Sequence, residues 1–241
     1  MPVYLLDKEL SFPAPEDANE EGIVAVGGDV SPERLLVAYR HGIFPWPARG
    51  YPLLWFSPDP RFALTPSHAH VSRSLRKLIR KGQLRVTADT AFDDVITACA
   101  AVPRPHQQGT WITRELQDGY RGLHELGYAH SIEAWRDDEL VGGLYGVALG
   151  QTFAGESMFA SEPDTSKVAF TTLLGHLAMW GFRIVDCQVH TEHLARFGAT
   201  MWPRERFLSE WRAAVHEPSI LAPWQLTMSP EEALTHLRPD V

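Results

Sequence analysis

Three polar side chains stand in stretches that are otherwise apolar. Glu156 lies in LVGGLYGVALGQTFAGESMF (140–159), and Asp186 and Gln188 lie in RIVDCQ (183–188). Both runs are β-prone, and a helix-forming segment (166–180) separates them. A carboxylate in a core strand must be paired, hydrogen-bonded or protonated. Two of them in such surroundings imply polar groups set into the floor of a sheet. Glycines at 142, 143, 146, 150 and 155 crowd the first run. Glycine inside a strand weakens it and often marks a bulge or the close approach of a ligand. The expectation is a sheet shaped to admit a substrate.

Other chemistries can be written on the same residues. Ser157, Asp186 and His190 follow the order of an α/β-hydrolase triad, and Gly155-Glu156-Ser157 begins like a nucleophile elbow. The fifth position is Phe159 rather than Gly, however, and Asp186 and His190 stand only four residues apart. Cys187, His190 and His193, with Asp186 adjacent, have a spacing that could ligate zinc. No second cluster supports it, and no metal is expected. GGLYGVALG sits within strands rather than at a strand-to-helix turn, so it is not a dinucleotide fingerprint. No Gly-rich pyrophosphate loop is present, so neither CoA nor another cofactor is expected.

The elements that must position these groups follow from periodicity and punctuation. Residues 1–62 carry prolines at 2, 13, 15, 32, 45, 47, 52, 58 and 60, too many for long regular elements. They read as a small irregular domain held by aromatics, with one helix at 32–41 capped by Ser31 and closed by Gly42. From 63 to 241 the pattern is regular. Helices are expected at 72–81, 91–101 (opened by Asp89 or Thr90), 113–126 and 203–215, and a capped one from Ser229-Pro230. Strands are expected at 84–88, 129–136, 139–149, 151–159 and 183–188, with a hairpin about Asp137-Asp138 and a polar loop at 103–109. Antiparallel strands followed by a crossover helix and a further strand describe an α/β fold with a mixed (α+β) sheet. That order resembles the acyl-CoA N-acyltransferase superfold, a likeness of fold alone.

Composition bounds the rest. The chain has 241 residues, is 44% hydrophobic and carries two cysteines, Cys99 and Cys187. That excludes a disulfide framework and suits a reducing compartment. No signal peptide and no spanning helix are read, so a cytoplasmic protein without a membrane partner is expected. The net charge of −8 argues against a large nucleic-acid footprint. Yet HVSRSLRKLIRKGQLR (70–85) holds Arg73, Arg76, Lys77, Arg80, Lys81 and Arg85 with no acidic residue. It is a basic island on an acidic protein.

Several longer motifs occur in one order: PEDANEEGIVAVGGDVSPERLLVAYRHGIFPW, LLWFSPDPR, HVSRSLRK, GTWIT, VGGLYGV, FAGESMF, SKVAF and DCQ. Together, over roughly residues 12–207, they resemble the leucyl/phenylalanyl-tRNA–protein transferases. The resemblance implies a small N-terminal domain joined to an acyltransferase-like one. It also implies transfer of Leu or Phe from aminoacyl-tRNA to the α-amine of proteins beginning with Arg or Lys, which marks them for degradation. Asp186 and Gln188 match the family's catalytic pair. Strand alternation puts them on one face and Cys187 on the other. A glutamine amide has no usable basicity near neutrality. Gln188 is therefore expected to accept a hydrogen bond from the amine, with Asp186 orienting it. Glu156 matches an acidic residue that could pair with the incoming Arg or Lys, or with Lys167 inside the fold. Leu144, Phe153, Met158, Leu173 and Leu177 are candidates for the aminoacyl pocket, with Leu144 where some relatives carry Met. Trp111 is the expected platform for the terminal adenosine, with Trp46 and Trp55 as further candidates. The basic helix would meet tRNA phosphates. HLARFGA (193–199) departs from the more usual HLxSLGA, which puts contacts made by that turn in doubt. A non-enzymatic RNA- or peptide-binding module is the remaining alternative, and loss of Asp186, Gln188 and Glu156 would be its signature.

Overall fold

The computed structural model describes residues 4–47, 50–102 and 110–238; the loop expected at 103–109 lies outside them. The proline-rich start builds a four-stranded sheet from β1 (Tyr4–Leu6), β2 (Ile23–Gly27), β3 (Phe44–Pro45) and β4 (Leu54–Phe56), in the order β1-β2-β4-β3. None of these strands exceeds five residues, which is why the segment reads as irregular in sequence. Helix α1 (Pro32–Arg40) lies between β2 and β3. Its Ser31 hydroxyl accepts the Arg34 N–H at 3.4 Å, and Gly42 follows its end at φ +72°.

The next strand, β5 (Arg61–Leu64), is absent from the sequence reading. It is buried at every position, so it shows no alternation, and prolines at 60 and 66 flank it. Then follow α2 (Arg73–Ile79), β6 (Arg85–Ala88), α3 (Phe92–Ala101), α4 (Arg114–Glu125), β7 (Ala129–Arg136), β8 (Glu139–Leu149) and β9 (Thr152–Ala160). The chain ends with α5 (Thr165–Met179), β10 (Ile184–Gln188), α6 (Glu192–Ala195), β11 (Thr200–Trp202), α7 (Arg204–Val215) and α8 (Pro230–Ala233). The larger sheet runs β11-β5-β10-β9-β8-β7-β6. An antiparallel run, β7–β8–β9, is followed by the α5 crossover to β10, which lies parallel to β9 and antiparallel to β5. This is the mixed α/β arrangement, antiparallel strands followed by a crossover helix and a further strand, that the sequence implied. Among the described residues no helix is long and apolar enough to cross a membrane.

Side chains alternate along β8 between two core blocks. Tyr145, Val147 and Leu149 join α1, α3, α4 and α7, while Leu144 and Ala148 join α2 and α5. Neither Asp89 nor Thr90 caps α3; Ala91 holds that place without a side-chain bond. Asp89 instead adopts φ +55° and bonds His130 Nδ1 at 2.9 Å, the Ser131 N–H at 2.9 Å and the Trp224 N–H at 2.6 Å. A carboxylate that could have capped a helix therefore fastens the C-terminal segment to β7.

One close approach matters for the site. Gly119 and Gly122 of α4 face the start of α1. A Cβ at 119 would lie 2.2 Å from the Val30 carbonyl oxygen, and one at 122 would lie 2.3 Å from Pro32 Cγ. That approach brings the Tyr39 and Tyr120 hydroxyls to 2.7 Å. Gly119→Ala should therefore destabilise the fold by about 1–3 kcal/mol in urea denaturation. It should do so despite the roughly 1 kcal/mol that alanine gains over glycine inside a helix.

Candidate active site

Strands β9 and β10 pair at three positions, the last being Ala154 with Asp186. Past that point each strand is irregular. On β9, Tyr145 and Gly146 face Ser157 and Gly155, so Glu156 is the extra residue of a bulge. On β10, the register against β5 shifts between Asp186 and Gln188, and Cys187 is the extra residue. Gln188 has φ +62° at the centre of a three-residue turn closed by the Val189 N–H on the Cys187 carbonyl at 2.7 Å. This is the strained hand of the γ-turn. The two irregularities aim Glu156 and Gln188 at each other across the seam, and Gln188 Nε2 donates to Glu156 Oε1 at 2.8 Å.

Glu156 is 8% exposed. Besides Gln188, its oxygens accept from Tyr39 at 2.7 Å and Tyr120 at 2.8 Å. Burial pushes its carboxyl up to about 7, the Asp186 charge adds to the rise, and the three donors oppose it. Burial likewise raises both tyrosine hydroxyls. Lys167, the internal partner considered for Glu156, pairs with Asp164 at 2.5 Å instead. Asp186 receives Arg61 Nε at 2.7 Å and Nη2 at 2.5 Å, and its Oδ1 also accepts the Gln188 backbone N–H at 2.9 Å. The expected ordering by Asp186 thus acts on the Gln188 main chain, while Glu156 orders its amide.

Glu156, Asp186 and Gln188 line the floor of a cavity of about 490 Å³. Phe44, Trp46, Trp111 and Tyr145 flank it on the side of α1 and α4. Leu144, Met158, Phe170 and Leu194 line it on the side of α5. Trp46 and Trp111 stand 6.4 Å apart, centroid to centroid. Leu144 and Met158 therefore reach the cavity. Phe153, Leu173 and Leu177 do not; they are fully buried in the α5 block, where they pack as core. Trp55 is also core, its Nε1–H donating to the Gly27 carbonyl at 2.9 Å. Ser157 lies within β9 rather than at a strand-to-helix elbow. Among the described residues no three His, Cys, Asp or Glu side chains are placed to hold a metal. Burial raises the Cys187 thiol, which disfavours the thiolate that a metal would need.

The basic helix lies apart from the cavity lining. Arg73, Lys77, Arg80 and Lys81 are exposed on or just beyond α2, and Arg80 lies 3.9 Å from Glu231. Arg76 corrects the sequence reading. It shares the inward face with Leu75 and Ile79, and its guanidinium donates to the Val71 and Arg238 carbonyls at 3.1 and 2.5 Å. It binds the helix to the tail rather than offering itself to a phosphate.

The model of the leucyl/phenylalanyl-tRNA protein transferase family matches residues 63–212, and the model of its N-terminal domain matches residues 28–59. The chain belongs to this transferase family. A leucyl/phenylalanyl-tRNA–protein transferase of Myxococcus xanthus is 59% identical over 93% of this chain and 97% of its own length. One from Anaeromyxobacter sp. is 55% identical over 94% and 96%. Among solved structures, an aminoglycoside acetyltransferase from an uncultured soil metagenomic sample aligns at 16% identity over 61% of this chain and 98% of that one, with a TM-score of 0.35.

In this transferase, Arg61, Tyr39 and Tyr120 are site residues that sequence reasoning missed. Arg61 carried a signal, as an arginine opening the apolar run FAL; the tyrosines sit on ordinary apolar helix faces. The raised carboxyl has a measurable consequence. Between about pH 4.5 and 7 the native state keeps a proton on Glu156 that the unfolded chain has released, so this group's contribution to stability falls as pH rises through that window. Glu156→Gln removes the effect. Urea denaturation should show the wild type losing ground to E156Q between about pH 5 and about pH 8.

Proposed function

We propose that the protein transfers Leu or Phe from the 3′ end of aminoacyl-tRNA to the α-amine of proteins beginning with Arg or Lys, marking them in the cytoplasm for degradation. The observation that carries this reading is the Gln188–Glu156 hydrogen bond on the floor of a cavity flanked by Trp46 and Trp111. The acyl group arrives as an activated ester, so alignment does most of the work. With Nε2 committed to Glu156, the Gln188 amide keeps its oxygen to accept an N–H of the amine. As the amine attacks, the C–N bond forms, the ester C–O bond breaks, and the 3′ oxygen leaves. The proton shed by nitrogen passes to ionised Glu156, whose value near 7 lies close to the roughly 7.7–8.0 of a free α-amine. From there it passes to the departing 3′ oxygen, which leaves as a hydroxyl.

The apolar end of the cavity, with Leu144, Met158, Phe170 and Leu194, takes the Leu or Phe side chain. The indoles of Trp111 and Trp46 take the terminal adenine, at roughly 1–3 kcal/mol per stacked base. Arg73, Lys77, Arg80 and Lys81 meet tRNA phosphates. Neither a metal nor a cofactor enters this reaction.

The deciding assay mixes purified protein, leucyl-tRNA and a peptide beginning with Arg, and reads the peptide by mass spectrometry. A leucine added at the N-terminus is expected. An unmodified peptide, with controls intact, would leave a binding module. Gln188→Ala should lower kcat by about 10²-fold or more with a smaller change in affinity for tRNA. Reversing the charge of Lys77 and Arg80 should weaken tRNA binding. It should also flatten its log–log salt dependence by roughly 0.7–0.9 for each phosphate no longer neutralised. An unchanged slope would remove this helix from the RNA face.

A further inference from the structure

Asp186 is 1% exposed and already carries three donated hydrogen bonds, two from Arg61 and one from the Gln188 main chain. Arg61, also 1% exposed, does not line the cavity. Its guanidinium is held between the rings of Phe44 and Phe207, 4.6 Å from each centroid. One side chain thus joins the small sheet, α7 and the turn that carries Gln188. Phe44 in turn lines the cavity beside Trp46.

We propose that Arg61 is a positioning residue of the transfer reaction, acting through Asp186 to hold the Gln188 turn and so to aim the Gln188 amide at Glu156. The inference rests on the aminoacyl-transfer reading above. A buried ion pair is weak evidence for stability, since apolar residues of similar volume often replace one at no cost. A strained turn, by contrast, persists only where its surroundings over-determine it. Asp186 Oδ1 supplies that restraint by accepting the Gln188 N–H, and the Arg61 fork fixes where Oδ1 stands. The bidentate geometry matters here, because a point charge on a flexible stem would leave the carboxylate free to rotate. The aromatic sandwich fixes the fork itself, so the wall that carries Trp46 and the floor that carries Gln188 are set by one group.

The test compares the wild type with Arg61→Lys, Arg61→Met, Asp186→Asn and the R61M/D186N double variant, each checked by circular dichroism to be folded at the assay temperature. Wild-type transfer of Leu to the Arg peptide comes first; its absence would sink the functional reading itself. Given transfer, R61M and D186N should each lower kcat by at least about tenfold, with KM for leucyl-tRNA changing less than about threefold. R61K, which keeps charge and approximate size, should lower kcat by about threefold or more, and it serves if R61M does not fold. The double variant removes both buried charges but keeps an oxygen to accept the Gln188 N–H. It should lower kcat no further than about threefold below the more impaired single variant, the non-additivity that groups acting as a unit show. Wild-type kcat in R61K and R61M would overturn the proposal. So would a double variant whose loss in kcat is the product of the two single losses, which would make the two residues act independently, or decreases in kcat that track melting temperature alone.

Discussion

Glu156 and Asp186 are buried on neighbouring strands, and the fold is arranged so that neither carboxylate is left bare. Glu156 is met by two phenols and an amide, and Asp186 by a guanidinium and a backbone N–H. The difference in partners separates their behaviour. Neutral donors leave the burial of Glu156 uncompensated by positive charge, and its carboxyl rises toward neutrality. A cation placed against Asp186 gives it an ion pair and a fixed orientation. The same functional group thus titrates near neutrality in one strand and holds a backbone in the next.

Those partners come from far apart in the chain, which explains much of the remaining architecture. Tyr39 belongs to α1, beside the small sheet, and Tyr120 to α4; their hydroxyls meet only because two glycines let the helices close on each other. Arg61 enters from β5, on the other side of β10 from β9. Between β9 and β10 the ladder ends after Ala154 and Asp186, and the space that follows is the cavity. A continuous sheet would have filled that space with paired backbone. The bulges at Glu156 and Cys187 end the pairing and turn polar side chains into the opening.

Local signals in the sequence located most elements. Ser31, Thr113 and Ser229 cap the helices they precede, and Asp137 turns the hairpin at φ +53°. The carboxylates in apolar runs pointed to the site for a reason that needs no relative, since burial without a partner is too costly to be incidental. Interactions fixed by distant residues were not legible. Nothing near Tyr39 announces a carboxylate 117 residues away. The four residues of β5 lack any periodicity because both faces are covered. Arg76 looked like one more charge on a basic helix, yet the three-residue spacing from Arg76 to Ile79 turns it inward. Phe153, Leu173 and Leu177 were plausible pocket residues by type, and only the three-dimensional packing separates core from lining.

The turn at residue 188 sets two requirements against each other. A backbone at φ +62° is most easily adopted by glycine, and among residues with a side-chain amide by asparagine. Asparagine, however, is one methylene shorter, and would fall about 1.5 Å short of the carboxylate on the neighbouring strand. Glutamine has the reach but a poorer tolerance of that conformation, at a cost of roughly 1–3 kcal/mol. The residue found there is thus a compromise in which span outranks backbone ease. The shorter amide would relax the main chain and leave the carboxylate out of reach.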